Sequence, residues 1–425
     1  MASRVLISAV GSRGDVEPLL RVGEGLRRRG HEVHVFANPA FAAAVSGAGM
    51  VFRPIGEEAE HRQGLADERI TSSRPGLAMV ADAVVRMARP TLESMRADVL
   101  KDRTLIVGTT FAFGARLLCE LDRLPFAAVH LAPSVFRSEY EAPRLTPLGH
   151  FRHWPRRFKR GMFAAMDRRF LDPVFTAPFN VVRADLGLAP VSRLMHGWIH
   201  EAATLLGLFP AWLAERQPDW PAALVTTGFP LARPGEALSP ELDRFLDAGS
   251  LPIVFTAGTA NTSSRAFFDT SAAACARLGC RGVFVAARRD QLPERLPDTV
   301  MHVARAPFDR LFPRAAAVVH HGGIGTTAQA MASGIPQLIR PMAYDQFDNS
   351  SRARRLGVAI ELLPRAYRGR RLDRALHALL GDDSLRRTCG ELSQRLTAED
   401  GIEAACDALE GTLDSIYAAA RNSFS

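Results

Sequence analysis

Residues 315–328 read AAAVVHHGGIGTTA, and this stretch decides the fold class. An apolar run ends in His320 and His321, glycines follow at 322, 323 and 325, and Thr326 and Thr327 lead into a second apolar stretch. The pattern predicts a strand over Ala316–His320, a tight turn, and a helix over Thr326–Ala332. Glycine allows the turn and a close approach of backbone to ligand. The first helix amides face that turn, and the helix dipole favours an anion there. His321 adds an imidazole donor, and Thr326 and Thr327 add hydroxyls. The whole is a phosphate cradle, and a diphosphate suits its several donors best. The bland alternative is a glycine-rich turn with capping threonines. Two adjacent histidines argue against it, because they have no capping use.

The same residues admit a rival. Gly323-x-Gly325-x-x-Ala328 fits a dinucleotide fingerprint, and Asp345 lies 20 residues past Gly325, where a ribose-binding acid is expected. That would make an NAD- or FAD-dependent oxidoreductase.

Moving outward, strand Pro336–Arg340 runs into Pro341-Met342-Ala343-Tyr344-Asp345-Gln346-Phe347-Asp348-Asn349. A carboxylate beside a carboxamide at a strand's carboxyl end suits vicinal hydroxyls. The alternative is a loop whose Asp348 or Asn349 caps the next helix. Upstream, Phe255-Thr256-Ala257-Gly258-Thr259 ends the first strand of this half, with a glycine and flanking hydroxyls that suit a nucleotide.

The βα alternation begins at the N-terminus. Val5–Val10 reads as a buried strand, Glu17–Arg29 as an amphipathic helix and His31–Ala37 as a second strand, so the sheet is expected to be parallel. The first turn is Gly11-Ser12-Arg13-Gly14-Asp15-Val16-Glu17-Pro18. Asp15 there is either a general base for an attacking hydroxyl or the helix N-cap, and the two roles can coexist.

The 425 residues suit two or three domains. Phe229–Pro240 is rich in proline, and the sequence divides there into an N-terminal Rossmann-like domain over 1–228, a linker over 229–240, a C-terminal Rossmann-like domain over 241–398, and a crossover helix and tail over 399–425. Two such α/β halves commonly bind a ligand in the cleft between them. Five scattered cysteines with no C-x-x-C pair exclude a disulfide framework and point to a reducing, cytoplasmic setting without a structural zinc site. No stretch of about 18 apolar residues occurs, so no spanning segment is expected.

The net charge of +8 is local. Residues 151–170 carry seven basic side chains against Asp167 alone, so six of the eight net charges fall there. Phe158, Met162, Met166 and Phe170 recur every four residues in this stretch, as in an amphipathic basic helix. That makes nucleic acid an improbable partner. It leaves peripheral contact with the inner membrane face, or an ordinary core-packed helix, as the two readings.

The order of GSRGDVEP (11–18), FTAGT (255–259), HHGGIGTT (320–327) and PMAYDQ (341–346) resembles the inverting, nucleotide-sugar-dependent glycosyltransferases of the GT-B fold. That superfamily includes UDP-glycosyltransferases, sterol glucosyltransferases and antibiotic glycosyltransferases. LFPAWLAERQPDW (208–220) and TGFPL (227–231) are similar to the bacterial rhamnosyltransferases that build rhamnolipid. The resemblance implies a metal-independent hexosyltransferase using a dTDP- or UDP-linked L-rhamnose or D-glucose, and a lipid or hydrophobic natural-product acceptor. It implies that His321 contacts the diphosphate, with Gly323, Gly325, Thr326 and Thr327 supplying further donors. It places Asp345 and Gln346 on the sugar, Thr256, Gly258 and Thr259 on the nucleotide, and Val303, Ala304, Arg305 and Ala306 at the base. Asp15 matches the catalytic base of bacterial relatives, and Ser12, Arg13 and His130 are acceptor-side candidates. A non-catalytic sugar-nucleotide-binding partner protein is the remaining alternative.

Overall fold

The structure is a computed structural model, and it describes residues 3–100, 103–147, 151–231, 236–258 and 264–422. Within these residues the chain forms two compact units. Unit 1 holds Met1–Pro143, His150–Pro230 and Asp400–Ser425; unit 2 holds Arg144–Gly149 and Leu231–Glu399. The segment Arg144–Gly149, which the sequence groups with the N-terminal domain, therefore belongs to the other unit.

Unit 1 is built on a parallel sheet of seven strands among the described residues: β1 (Arg4–Ser8), β2 (Glu32–Ala37), β3 (Val51–Pro54), β4 (Thr104–Thr109), β5 (Phe126–His130), β6 (Thr204–Gly207) and β7 (Leu224–Thr226). Their order is β3-β2-β1-β4-β5-β6-β7. The central strands are buried at every position but the half-buried Arg4, as strands covered by helices on both faces must be. Unit 2 has six parallel strands among its described residues: β8 (Ile253–Thr256), β9 (Gly282–Val285), β10 (Val300–Val303), β11 (Ala317–His320), β12 (Gln337–Ile339) and β13 (Ala359–Glu361), ordered β10-β9-β8-β11-β12-β13. In each sheet the chain reverses its winding beside the first strand. The switch points lie between β1 and β4 and between β8 and β11, and open α/β sheets bind ligands at the carboxyl ends of such pairs.

The C-terminal helix Gly401–Asn422 returns to unit 1 and packs on the first helix, Arg13–Arg28. Ile402, Ala405, Cys406, Leu409 and Leu413 join the unit 1 core. The close approach depends on Gly25, where a Cβ would lie 2.6 Å from the Cys406 sulfur. At the rim, Arg29 pairs with Glu403, Asp407 and Glu410.

Two expectations need correction. The first helix begins at Arg13, a turn earlier than Glu17, because Ser12 starts it. The 151–170 stretch is not one regular helix: an α-helix over Arg156–Met166 runs into a wider π-helical segment, Asp167–Thr176, before Ala177–Asp185. The buried line is Lys159, Phe163, Phe175 and Phe179, whereas Phe158 is 55% exposed and Trp154 47%. The lysine is buried because its ammonium donates to the carbonyls of Tyr140 and Arg152, both at 2.7 Å. No described helix is long and apolar enough to cross a membrane.

Candidate active site

The cradle stretch folds as a strand, a turn and a helix, with β11 ending at His320 and the helix starting at Ile324, two residues before the expected Thr326. Gly322 adopts φ +91°, and a side chain there would meet Ile339 and the Gln346 carbonyl, so only glycine fits. The two histidines divide the work. His320 is fully buried; its Nδ1 accepts from the Gly322 amide (3.1 Å), which leaves Nε2 to donate to Gln337 Oε1 (3.0 Å). His320 therefore holds the turn, a use the sequence alone did not show.

His321 is the histidine left for a ligand. Its ring lies against the backbones of Gly258 and Gly323. A Cβ at Gly258 would sit 2.5–2.8 Å from the ring atoms, and one at Gly323 would sit 2.5 Å from Nε2. Its Nδ1 is buried with no hydrogen-bond partner. Burial pulls the ring down to about 4, so it is neutral at physiological pH and one nitrogen carries a proton to donate. Gly323 occupies the N-cap of Ile324–Ala332 without a side-chain cap, and a Cβ on Gly325 would meet nothing within 4 Å. Among the described residues, the space beside this first turn is open to a ligand oxygen.

Other predicted residues around this turn sort less evenly. Thr327 is buried, and its hydroxyl donates back to the Gly323 carbonyl (3.0 Å), so it braces the helix and is not a phosphate donor. Thr326 is half-buried in the first turn. Thr256 is buried, and its Oγ1 accepts from the Gly258 amide (3.4 Å), which ties it to the glycine against His321. Thr259 lies outside the described residues. The Val303 carbonyl accepts from the Ala286 amide, so the backbone offered to a base narrows to Ala304–Ala306. Arg305 pairs with Glu236.

The loop after β12 delivers Asp345 and Gln346 to the same carboxyl edge. Tyr344 takes φ +54°, a left-handed turn costing about 1 kcal/mol that redirects the chain into the helix Gln346–Arg355. Asp345 occupies the N-cap position of that helix, so neither Asp348 nor Asn349 is its cap. Gln346 Oε1 accepts from the amides of Met342 (2.8 Å) and Ala343 (3.1 Å), which aims its NH₂ for donation. Asn349 entered the sequence reading only as an alternative helix cap. Its Nδ2 donates both to Asp345 Oδ2 (2.7 Å) and to the Gly322 carbonyl (3.0 Å), tying the loop after β12 to the glycine turn after β11. Asp348 accepts from Arg352 (2.6 Å) and from the Arg144 amide (3.0 Å). Arg144 also pairs with Glu361 (2.6 Å), which accepts from Ser350 (2.7 Å). This helix therefore stands on a buried, paired polar network.

In unit 1, Asp15 follows β1 at the switch point. The amide and hydroxyl of Ser12 donate to its Oδ2 at 2.8 and 2.9 Å. Ser12 occupies the N-cap and Asp15 is the N3 residue reaching back to it, so Asp15 is not itself the cap. Burial pushes its carboxyl up, and the two bonds from Ser12 pull the other way. Gly11, at φ +132°, is required because any Cβ there would collide with the Asp15 carboxylate. The acceptor-side candidates fare differently. Ser12 spends its donors on Asp15. Arg13 pairs with Glu17 at the surface. His130 is fully buried between Thr110 Oγ1 (2.8 Å) and His200 Nδ1 (3.1 Å), so it cannot touch an acceptor.

Among the described residues no group of three or more His, Cys, Asp or Glu is placed to hold a metal ion.

Comparison with known proteins gives this geometry a family. The glycosyltransferase family 28 N-terminal domain matches residues 5–140, and the erythromycin biosynthesis protein CIII-like C-terminal domain matches residues 281–406. The chain is 30% identical over 426 residues to O-mycaminosyltylonolide 6-deoxyallosyltransferase of Streptomyces fradiae, covering 96% of this chain and 97% of that one. The fold matches the crystal structure of the glycotransferase of kitacinnamycin with a TM-score of 0.76 at 22% identity, covering 97% of this chain and 100% of that one. It also matches spinosyn rhamnosyltransferase SpnG complexed with thymidine diphosphate, with a TM-score of 0.67 at 20% identity, covering 96% and 100%. These matches remove the oxidoreductase reading, and the chain belongs to the GT-B glycosyltransferases of the UDP-glycosyltransferase and family 28 superfamily.

Proposed function

We propose that this glycosyltransferase moves a hexose, L-rhamnose ahead of D-glucose, from a dTDP-linked donor to a hydroxyl of a hydrophobic natural-product acceptor in the cytoplasm, with inversion and without a metal. The observation that carries the donor half is the His321 ring packed between Gly258 and Gly323 with Nδ1 unpartnered, beside the uncapped start of Ile324–Ala332. Neutral donors and a helix end suit a diphosphate leaving group, whose charge grows as the glycosidic bond breaks. Asp345 and Gln346 would hold sugar hydroxyls. Asp15, oriented by Ser12 and raised by burial, would take the acceptor proton as that oxygen attacks the anomeric carbon from the face opposite the diphosphate. The relative's 6-deoxyallosyl transfer and the thymidine diphosphate bound by SpnG favour a thymidine-linked 6-deoxyhexose over UDP-glucose. The antibiotic context of the relative favours a natural-product acceptor over a rhamnolipid precursor.

Thermal shifts against dTDP, UDP, dTDP-rhamnose and UDP-glucose test this reading. Stabilisation by the thymidine nucleotides is expected, and stabilisation by none of the four would overturn it. A membrane contact is a second reading, favoured by the exposed Trp154 and Phe158 beside Arg156 and Arg157. Co-sedimentation with anionic liposomes that weakens with salt would support that contact, and no binding would retire it.

A further inference from the structure

Arg340 is the residue after β12, where the sugar loop begins. Its amide donates to the His320 carbonyl at 2.8 Å, which sets it beside the phosphate turn. The register pairs Val319 with Leu338 and His320 with Ile339, so Arg340 is the next neighbour of His321. Val319 and Leu338 lie in one core cluster on one sheet face. Two residues further along, His321 and Arg340 belong to that same face by alternation. The contacts of Arg340 agree: its guanidinium lies 5.8 Å from the Phe267 ring and 5.4 Å from the Tyr367 ring, both members of that cluster.

The environment of this guanidinium is unusual. Arg305 after β10 pairs with Glu236, and Arg288 after β9 pairs with Asp290. Arg340 makes no ion pair among the described residues. Its Nη1 rests on the Met342 sulfur at 2.9 Å, and its Nε is buried with no partner. A half-buried cation held on two aromatic faces without a carboxylate is costly to the free protein, and burial already lowers its proton affinity. The phosphate turn lacks a formal positive charge, since its imidazole is neutral and a helix end supplies only about half a charge.

We infer that Arg340 is a further binding residue of the donor site, supplying the full positive charge that faces the diphosphate of the nucleotide sugar. The aromatic bed of Phe267 and Tyr367 fixes the plane of the guanidinium. No carboxylate among the described residues compensates the charge, which leaves that part to the ligand. This inference rests on the donor-site reading above.

The test is calorimetry of the full-length protein and of Arg340→Gln, Arg340→Met and Arg340→Lys with dTDP, with thymidine titrated by NMR as the uncharged control. Loss of a hydrogen-bonded ion pair is expected to weaken dTDP by about 10- to 100-fold in the Gln and Met variants, with thymidine unchanged and partial recovery in the Lys variant. Removing an unpaired charge from an aromatic bed should also leave the thermal midpoint of the ligand-free Met variant equal to or above that of the parent, which guards against simple misfolding. An affinity for dTDP within threefold of the parent in either neutral variant would overturn the inference, as would a parallel loss of thymidine. If the parent itself bound neither dTDP nor UDP, the donor-site reading would fall first, and that outcome is distinct from the other two.

Discussion

The two switch points of this chain use the same device, a glycine-containing turn between a parallel strand and a helix, and they use it in opposite ways. At the first, the start of the helix is satisfied from within: Asp15 reaches back three residues to Ser12, and Gly11 clears the space for its carboxylate. At the second, the helix start after Gly323 is uncapped, and the nearest ring stays neutral with a buried nitrogen unpartnered. The first turn concentrates negative charge and the second offers donors to it. One suits a base and the other an anion. The first is also self-contained, whereas the second depends on Gly258, Gln337, Asn349, Arg144 and Glu361, which come from far along the chain.

The largest effect should come from breaking the first turn. Asp15→Asn keeps the shape and removes the base, so kcat should fall by about 10²–10⁴-fold while dTDP affinity holds. Unchanged turnover in steady-state assays would retire Asp15 as base. Next comes the distant support of the second turn. Arg144→Met leaves Glu361 with only Ser350 and the longer Arg354 contact at 3.9 Å, and should cost about 2–3 kcal/mol in urea unfolding. A loss below 1 kcal/mol would show that the network is incidental. His321→Ala should weaken dTDP by roughly 10-fold, the worth of a hydrogen bond to a charged group, and leave kcat at saturating donor less affected. Equal affinities by calorimetry would mean that the imidazole does not meet the phosphates.

Acid offers a further comparison. His320, His321 and His200 are buried neutral, pulled to about 3, 4 and 4, against about 6.5 when unfolded. Because their folded values are depressed, the unfolded chain takes up protons first as pH falls. Their stabilisation is complete above about pH 6.5 and is lost between there and about 4 for His321 and His200, and about 3 for His320. The slope is on the order of 1 kcal/mol per pH unit for each ring. Denaturation midpoints at pH 7, 6 and 5 should fall steadily, and a flat series would contradict neutral burial. The smallest expected effect separates adjacent threonines. Thr326→Val should lower dTDP affinity a few-fold without changing stability. Thr327→Val should lower stability by about 1 kcal/mol without changing affinity. The reverse pattern would exchange their roles.

What could be read from the sequence follows the same division. The alternation of strands and helices, and both glycine turns, are local signals, so the parallel sheets and the positions of Asp15, His321, Asp345 and Gln346 were legible. Contacts between distant residues were not. The Asp348 carboxylate receives the Arg144 amide across 204 residues, and Glu361 receives its guanidinium across 217. Nothing in the local pattern joins those positions. His130 was misplaced for a related reason: the end of a central strand is either a site or the core, and only the neighbouring Thr110 and His200 decide between them. The basic stripe was legible only in part: within the regular helix the core takes Lys159 and Phe163 while Phe158 stays exposed, and beyond it the wider segment at Asp167–Thr176 breaks the phase.

Asn349 carries a consequence for how the two loops are held together. One carboxamide nitrogen touches both the Gly322 carbonyl and the Asp345 carboxylate, and so acts as a fixed-length spacer between the glycine turn after β11 and the loop after β12. With that spacing held by a single short side chain, changes at Met342 or Ala343 are expected to leave the Gly322 turn in place, whereas loss of Asp345 or Asn349 would uncouple the two loops.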